Sequence, residues 1–426
     1  MRALYVVASY LLFALLFPFL SLNRKTRDGL AQRLGFYAPG TFPEGGGPRI
    51  WMHGASAGDL LALSPMVDLL RARFPKARIV MSTMTNSGAL MARERLRSRL
   101  DAVVFVPYDL KGATERAMAA FRPTMLVLEY TEVWPNLIRA AKNAGARVVM
   151  TNGRFAKARM WSYHLLFGLI DNPLRDFDAL LMREEDEAER VLELGAPKER
   201  VFVTGNTKFD ALVTGEPALE DARLRSALGF PHSARVWICG STHEGEEDLL
   251  IEVFQRLLKD HPDLRMVMAP RYIDRAPKLV DLATAAGLTS TLRSNGNAQG
   301  ARVVILDTIG ELARAYRLAT LVFVGGSFTE RGGQNILEPA GQGKPVLFGP
   351  NMENFHDSVQ VLVGRGGIQV KDEHHLHQVM DELLRRPGDL KELGDMALGT
   401  VRQVSGASAR NAERMASLLE GSGPWV

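Results

Sequence analysis

Short apolar runs alternate with amphipathic stretches along most of this chain, and the alternation restarts once. Between residues 50 and 213 the runs Arg49–His53, Ile79–Thr83, Val103–Val106, Met125–Leu128, Val148–Thr151, Ala179–Met182 and Val201–Val203 predict strands. Helical spacing follows several of them: Leu63, Val67 and Leu70 share one face, with Pro65 inside that helix, and Leu137, Ala140 and Ala141 do the same after Trp134-Pro135. A turn-rich stretch, Thr214-Gly215-Glu216-Pro217, predicts a linker. Beyond it the pattern resumes with strands at Val236–Cys239, Met266–Ala269, Arg302–Ile305 and Leu321–Val324. Helices are predicted over 246–259, 276–286 and 310–316. In the first of these, Leu250, Val253, Phe254 and Leu257 form a stripe. Strands alternating with helices imply parallel sheets covered on both faces. The predicted fold is therefore α/β, with two Rossmann-like domains facing a central cleft and their informative loops beyond the C-terminal strand ends. The expected boundaries are 1–30 for an N-terminal segment, 31–213 for the first domain and 218–426 for the second.

The first segment differs in kind. Ala3–Leu22 carries no charge, and as a helix it is about 30 Å long, the thickness of a bilayer core. No A-x-A cleavage site follows, which favours an uncleaved membrane anchor over a removed signal peptide. Arg24, Lys25, Arg27 and Arg33 follow it against Arg2 alone before it, and this asymmetry places the rest of the chain in the cytoplasm. Pro18 and the marginal length also allow a helix lying in the interface; a buried core helix is the third option. No other apolar run approaches this length.

Composition adds limits. With 426 residues, 46% hydrophobic and 23% charged, the chain is long enough for two ordinary folded domains. One cysteine, Cys239, excludes an internal disulfide. A net charge of +4 with no basic–aromatic stripe gives no case for nucleic acid.

The most informative stretch is FVGGSFTERGGQNILEPAGQGKPVLFGP, residues 323–350. A strand runs into Gly325-Gly326-Ser327, and a second pair, Gly332-Gly333, leads to a predicted helix start near Asn335 with Glu338 one turn in. Glycine amides and a helix N-terminus suit phosphate, and a carboxylate suits ribose hydroxyls, so the stretch reads as a nucleotide cradle. A tight strand–turn–helix without ligand is the alternative. Elsewhere in this half, Ser241, Thr242 and His243 follow a strand, the hydroxyls able to cap the next helix and the histidine left to face a ligand; Arg271 and Arg275 offer guanidinium groups. Lys208, beside Gly205, suits phosphate or carboxylate.

In the first half, WMHGASAGD (51–59) ends a strand and opens a helix. Asp59 is either a base for a hydroxyl nucleophile or an N-cap. Ser82–Gly88 is a polar loop suited to sugar hydroxyls or to capping. Glu129-Tyr130-Thr131-Glu132-Val133-Trp134 supplies carboxylates and aromatics for a sugar wall, with Trp134 as a core residue the alternative. The D-x-D at Asp176–Asp178, the histidines 374, 375 and 377, and Ser56 without G-x-S-x-G flanks carry no metal or nucleophile signal.

Taken in order, WMHGASAGD, STMTNSG, PYD, TEVWPNL, NGR (152–154), TGNTKFD, GSTHEGEE, APRYIDR, DTIGEL, GGSFTERGGQNILEPA and Asn354-Phe355 resemble the 3-deoxy-D-manno-octulosonic acid (Kdo) transferases of lipopolysaccharide synthesis over nearly the whole chain. The resemblance implies a GT-B fold with a membrane anchor. It implies inverting transfer of Kdo from CMP-Kdo to a lipid A precursor at the cytoplasmic face of the inner membrane, with membrane lipid as a partner and no metal or cofactor. Asp59 and Glu132 would be catalytic. Lys208, Ser241, Thr242, His243, Arg271, Gly325, Gly326, Ser327, Asn335 and Glu338 would bind donor. Ser56, Thr85, Tyr130 and Trp134 would bind acceptor. Two departures stand out: Asp59 replaces the family's usual Glu, a carboxylate shorter by about an ångström of reach, and Tyr130 replaces the first Glu of Glu-Thr-Glu. They keep open a paralogue with another lipid acceptor and a relative that binds without catalysing. A soluble sugar-nucleotide epimerase is disfavoured by the anchor.

Overall fold

The computed structural model describes residues 2–22, 27–212, 218–231, 233–296 and 298–421. The predicted linker at 214–217, and Arg24 and Lys25, lie outside them. The chain divides into two compact units, Met1–Ala211 with Ser405–Val426, and Leu212–Val404.

The first unit is built on β1 (Arg49–His53), β2 (Arg78–Thr83), β3 (Ala102–Phe105), β4 (Met125–Glu129), β5 (Arg147–Gly153), β6 (Ala179–Met182) and β7 (Val201–Val203). All pair in parallel in the order β3-β2-β1-β4-β5-β6-β7. Successive strand residues feed opposite faces, as the pleat requires. Trp51, Val80, Leu126, Leu128, Val148 and Met150 join one core, and Ile50, Met52, Ile79, Val127 and Val149 the other. The helix Ala57–Arg73 buries Leu60, Leu63, Met66, Val67 and Leu70, and Pro135–Asn143 buries Leu137, Ala140 and Ala141.

The second sheet comprises β8 (Arg235–Thr242), β9 (Leu264–Pro270), β10 (Ser290–Leu292), β11 (Val303–Ile305), β12 (Leu321–Val324), β13 (Val346–Phe348) and β14 (Gly367–Gln369), all parallel, in the order β10-β11-β9-β8-β12-β13-β14. Strands β10, β13 and β14 have three residues each. Unlike the wholly apolar three-residue β7 and β11, β10 and β14 carry polar residues or glycine, and Pro345 and Pro350 bracket β13.

Two expectations change. The last helix, Ala407–Glu420, belongs to the first unit, not to a continuous 218–426 domain: Ala412, Met415 and Leu419 complete the core beneath β1, β2 and β4. Asp210 fixes its start by accepting from the amides of Gly406 and Ser408, and Arg410 donates to the Thr204 carbonyl at 2.8 Å. The helix expected near Asn335 is a single turn, Leu337–Ala340.

The apolar N-terminal helix spans Arg2–Leu22. Tyr5 donates to Asp109 at 2.8 Å, the Tyr10 hydroxyl accepts from the Gly112 amide at 3.0 Å, and Phe13 lies 5.4 Å from the Tyr108 ring. The first half of this helix is therefore laid against the first unit. Leu11, Leu15 and Leu22 remain exposed.

Candidate functional site

In the first unit the informative side chains gather at C-terminal strand ends. Ser56 is the N-cap of Ala57–Arg73, and Asp59 is its N3 residue. Asp59 Oδ2 accepts both the Ser56 amide (2.9 Å) and the Ser56 hydroxyl (2.8 Å), the reciprocal logic of a capping box. Asp59 is thus not itself the N-cap. Its Oδ1 takes no hydrogen bond from the described residues and is free to receive a proton. Gly54 is needed here, because a Cβ would stand 2.9 Å from Asp59 Cβ.

Behind Asp59 lies Glu129, fully buried at the end of β4. Its carboxyl accepts from Thr151 Oγ1 and Asn152 Nδ2, both at 2.5 Å. Asn152 Oδ1 in turn accepts the Thr207 amide at 2.9 Å, tying β4, β5 and the Thr207–Lys208 turn together. Burial, and then the Asp59 charge, push the Glu129 pKa up to about 8 against these hydrogen bonds and the Lys208 cation. Tyr130 (φ 56°) and Asn152 (φ 52°) are in the left-handed region; asparagine tolerates it, tyrosine does so at a cost. Lys208 Nζ sits 4.9 Å from the Tyr130 ring centroid, and the Tyr130 hydroxyl is buried without a partner. The structure therefore seats Lys208 in the first unit, beside a residue expected to meet acceptor.

Glu132 is differently engaged. Its Oε2 accepts Trp134 Nε1 at 2.7 Å and lies 3.5 Å from Nε2 of the fully buried His53. Burial alone would raise its pKa, but His53 and Trp134 outweigh it and hold the carboxylate below its usual range. Glu132 thus fixes Trp134, which is partly buried and packs against the core. Thr85 is spent as the N-cap of Asn86–Arg95, accepting the Gly88 amide at 3.1 Å.

The second unit redraws the nucleotide cradle. Glu246, fully buried, accepts three backbone amides: His243 (2.9 Å) and Gly326 (2.6 Å) on Oε1, Phe328 (3.2 Å) on Oε2. Gly325 donates to the Gly240 carbonyl at 2.8 Å. Ser327 donates to the Val324 carbonyl (2.6 Å) and accepts the Gly349 amide (2.8 Å). Asn335 Oδ1 accepts the Leu337 amide at 3.0 Å, and Thr242 donates to Glu247 at 3.2 Å. Gly325 and Gly326 thus spend their amides, and Ser327, Asn335 and Thr242 a side-chain oxygen, on partners within the protein. The glycines serve close approach: a Cβ on Gly325 would lie 2.5 Å from Glu246 Oε1. A four-residue helix adds little dipole to the site.

What remains is cationic. Buried His243 packs edge-on to Tyr272 at 5.7 Å, with Gln334 Nε2 3.4 Å from its Nε2. Burial lowers the His243 pKa, and then Arg331, Arg271 and Arg275 lower it further. Arg275 is paired with Glu244 and Glu247, whereas Arg271 and Arg331 form no ion pair among the described residues. The loop carrying Arg331 is pinned by Asn354, whose Nδ2 donates to the Arg331 carbonyl at 2.9 Å and whose amide donates to Gly332. Arg331 escaped the sequence reading, although it sits between the two glycine pairs, as did Gln334. Ser241, at φ 55°, is the third strained strand-end residue, and Glu338 is partly buried with its pKa raised by that burial.

These observations meet a family match. Residues 28–211 match the sequence family described as 3-deoxy-D-manno-octulosonic-acid transferase (kdotransferase). The 3-deoxy-D-manno-octulosonic acid transferase of Chlamydophila psittaci is 31% identical over 366 residues, 85% of this chain and 83% of that protein. The chain belongs to the Kdo transferase family. The Haemophilus influenzae 3-deoxy-D-manno-octulosonic acid transferase is 28% identical over 401 residues, 92% of each chain. Among solved structures, a UDP-GlcNAc 2-epimerase from Neisseria meningitidis bound to UDP-GlcNAc overlays with a TM-score of 0.59 at 13% identity, covering 87% of this chain and 100% of that one. That likeness establishes the fold alone, two parallel α/β units of the GT-B kind. As a Kdo transferase family member the chain is a glycosyltransferase, which accounts for a polar strand-end site in each unit.

Proposed function

We propose that this Kdo transferase family member moves Kdo from CMP-Kdo to a lipid A precursor with inversion and without a metal. The first unit would take the acceptor and the second the donor. Asp59 Oδ1 carries the reading: it is an open carboxylate oxygen on a side chain locked by Ser56. An acceptor hydroxyl loses its proton to Asp59 while its oxygen bonds to the anomeric carbon of Kdo. The anomeric C–O bond to CMP breaks, and its electrons leave on the CMP phosphate. Arg271 and Arg331 stabilise that charge beside His243, and Glu338 accepts from ribose. The helix Arg2–Leu22 would hold the enzyme at the cytoplasmic face of the inner membrane.

A second reading has a specific observation behind it. Tyr130 is held in a strained backbone beneath Lys208, where the family carries a carboxylate. That exchange favours a different acid-bearing lipid acceptor. Incubation of the purified enzyme with CMP-Kdo and a tetraacylated lipid A precursor, read by mass spectrometry, separates the two. Gain of one or more Kdo units supports the first; CMP release with another lipid but no gain on this precursor supports the second; donor binding without transfer to any lipid overturns both.

A further inference from the structure

The N-terminal helix does not pack flush on the first unit. Tyr5 and Tyr10 pin it through their hydroxyls, and beside those pins Ala3, Val6 and Val7 stand off from the body. A crevice of about 480 Å³ is left, closed opposite by Lys111, Arg139 and Ala140. Its volume falls within the range of ligand pockets, roughly 300–1,000 Å³. Further lining residues run from Asn136 to Asn143, the full length of that helix. In a parallel α/β unit this direction leads away from the C-terminal strand ends and the site around Asp59.

The two sides of the crevice have opposite chemistry. One is the apolar helix, whose outer residues Leu4 and Leu11 are 64% and 68% exposed. The other carries a guanidinium that is incompletely satisfied. Arg139 Nε is buried with no hydrogen-bond partner, and its Nη2 lies 3.7 Å from Asp171, beyond hydrogen-bond range. The Arg139 side chain is 18% exposed and lines the crevice, so its charge is presented there although Nε itself is sealed. Lys111 adds a second, exposed cation, only loosely paired to Glu115 at 4.0 Å.

The geometry points to a binding site for one anionic phospholipid of the bilayer, its acyl chain between the N-terminal helix and the body and its phosphate on Arg139 and Lys111. An acyl chain covers Ala3, Val6 and Val7, and a phosphate oxygen pairs with the exposed part of the Arg139 side chain and with Lys111. The helix supplies the reason for the partner to be a lipid, since its exposed leucines require an apolar medium on the same element. The site is independent of which acceptor the enzyme uses.

The test uses the full chain purified in mild detergent, stripped of lipid and titrated with phosphatidylglycerol or phosphatidylcholine under native mass spectrometry. The expected result is one phosphatidylglycerol retained per chain, with phosphatidylcholine held weakly. Arg139→Gln should weaken retention about tenfold, the worth of one charge-assisted hydrogen bond. Val7→Trp, which fills the crevice from the exposed N-terminal helix, should abolish it while the thermal unfolding midpoint stays near that of the parent. Retention unchanged in both variants means annular lipid and overturns the proposal. Equal retention of both lipids overturns the phosphate assignment. Displacement of phosphatidylglycerol by a lipid A precursor at equimolar concentration assigns the crevice to acceptor and overturns it as well.

Discussion

The two units share one architecture and use it for opposite electrostatics. Each has seven parallel strands with its first strand inside the sheet, β1 third and β8 fourth in order, and each places its polar residues past the C-terminal strand ends. The first unit gathers carboxyls there, Asp59, Glu129 and Glu132; the second gathers cations, Arg271, Arg275 and Arg331 around His243. Each also buries a glutamate, by different means. Glu129 is held by two side chains, so it stays strongly desolvated and titrates near 8. Glu246 is held by three backbone amides and shapes the glycine loop. The contrast shows a strand–glycine–helix pattern folding as a turn around a buried carboxylate, Glu246.

The largest effect should come from the base. Asp59→Asn should lower the rate of Kdo transfer by about 10³-fold, within the range of general-base removal, and leave donor affinity within a factor of about two. Single-turnover transfer and donor titration measure the two. Equal losses in both would place Asp59 in binding and erase the division of labour between the units.

Next is the buried hub of the second unit. Glu246→Ala leaves three amides without an acceptor and should destabilise that unit on the order of 4 kcal/mol, read by urea unfolding. A change near zero would mean the loop does not depend on Glu246 and would restore the glycine amides as candidates for phosphate.

The buried carboxyl of the first unit should show in pH dependence. A carboxyl whose folded pKa is raised to about 8 from 4.5 is neutral in the fold while the unfolded chain ionises. Its stability contribution is complete below the unfolded value and is lost as pH rises through the folded one. Thermal midpoints should therefore fall between pH 5 and 8 on its account, by a few kcal/mol of stability, and Glu129→Gln should flatten that fall. Glu246, raised by burial in the same direction, leaves a residual slope in the variant. An unaltered slope would show Glu129 ionised in the fold.

The smallest effect concerns the cations. Arg271→Ala and Arg331→Ala should each raise the donor KM and lower kcat, together reducing kcat/KM about tenfold. The imidazole of His243, whose pKa burial and the three arginines lower, should titrate higher when CMP neutralises them, as NMR can follow. No movement on CMP binding would remove the second unit's cationic cluster as the phosphate site.

Legibility followed the range of the interaction. The helices Ala57–Arg73, Pro135–Asn143 and Glu247–Leu257 were readable because their apolar residues repeat at helical spacing and meet one sheet face. Of the three-residue strands, the wholly apolar β7 and β11 were readable; β10 and β14 carry polar residues or glycine, and β13 sits between Pro345 and Pro350. Asp59 was visible as a strand-end carboxylate, but its N3 role was not, because that depends on Ser56 reaching back to it. Arg331 became legible only through Asn354, more than twenty residues away. Lys208 read as a donor contact from its glycine turn; that it lies over the Tyr130 ring in the first unit was visible only in the structure.

The sequence by itself determined the parallel α/β class, the restart of the pattern, the apolar N-terminal helix and the order of motifs that defines the family. All of these are local or periodic, set by neighbouring residues in the chain. Only the tertiary structure decided which polar groups are spent and which are free. Gly326, Ser327 and Asn335 each make an internal hydrogen bond, the last helix belongs to the first unit and fills its core, and Arg139 lines a crevice. A hydrogen bond is a property of two groups in space, and no single position along the chain records whether its partner has arrived.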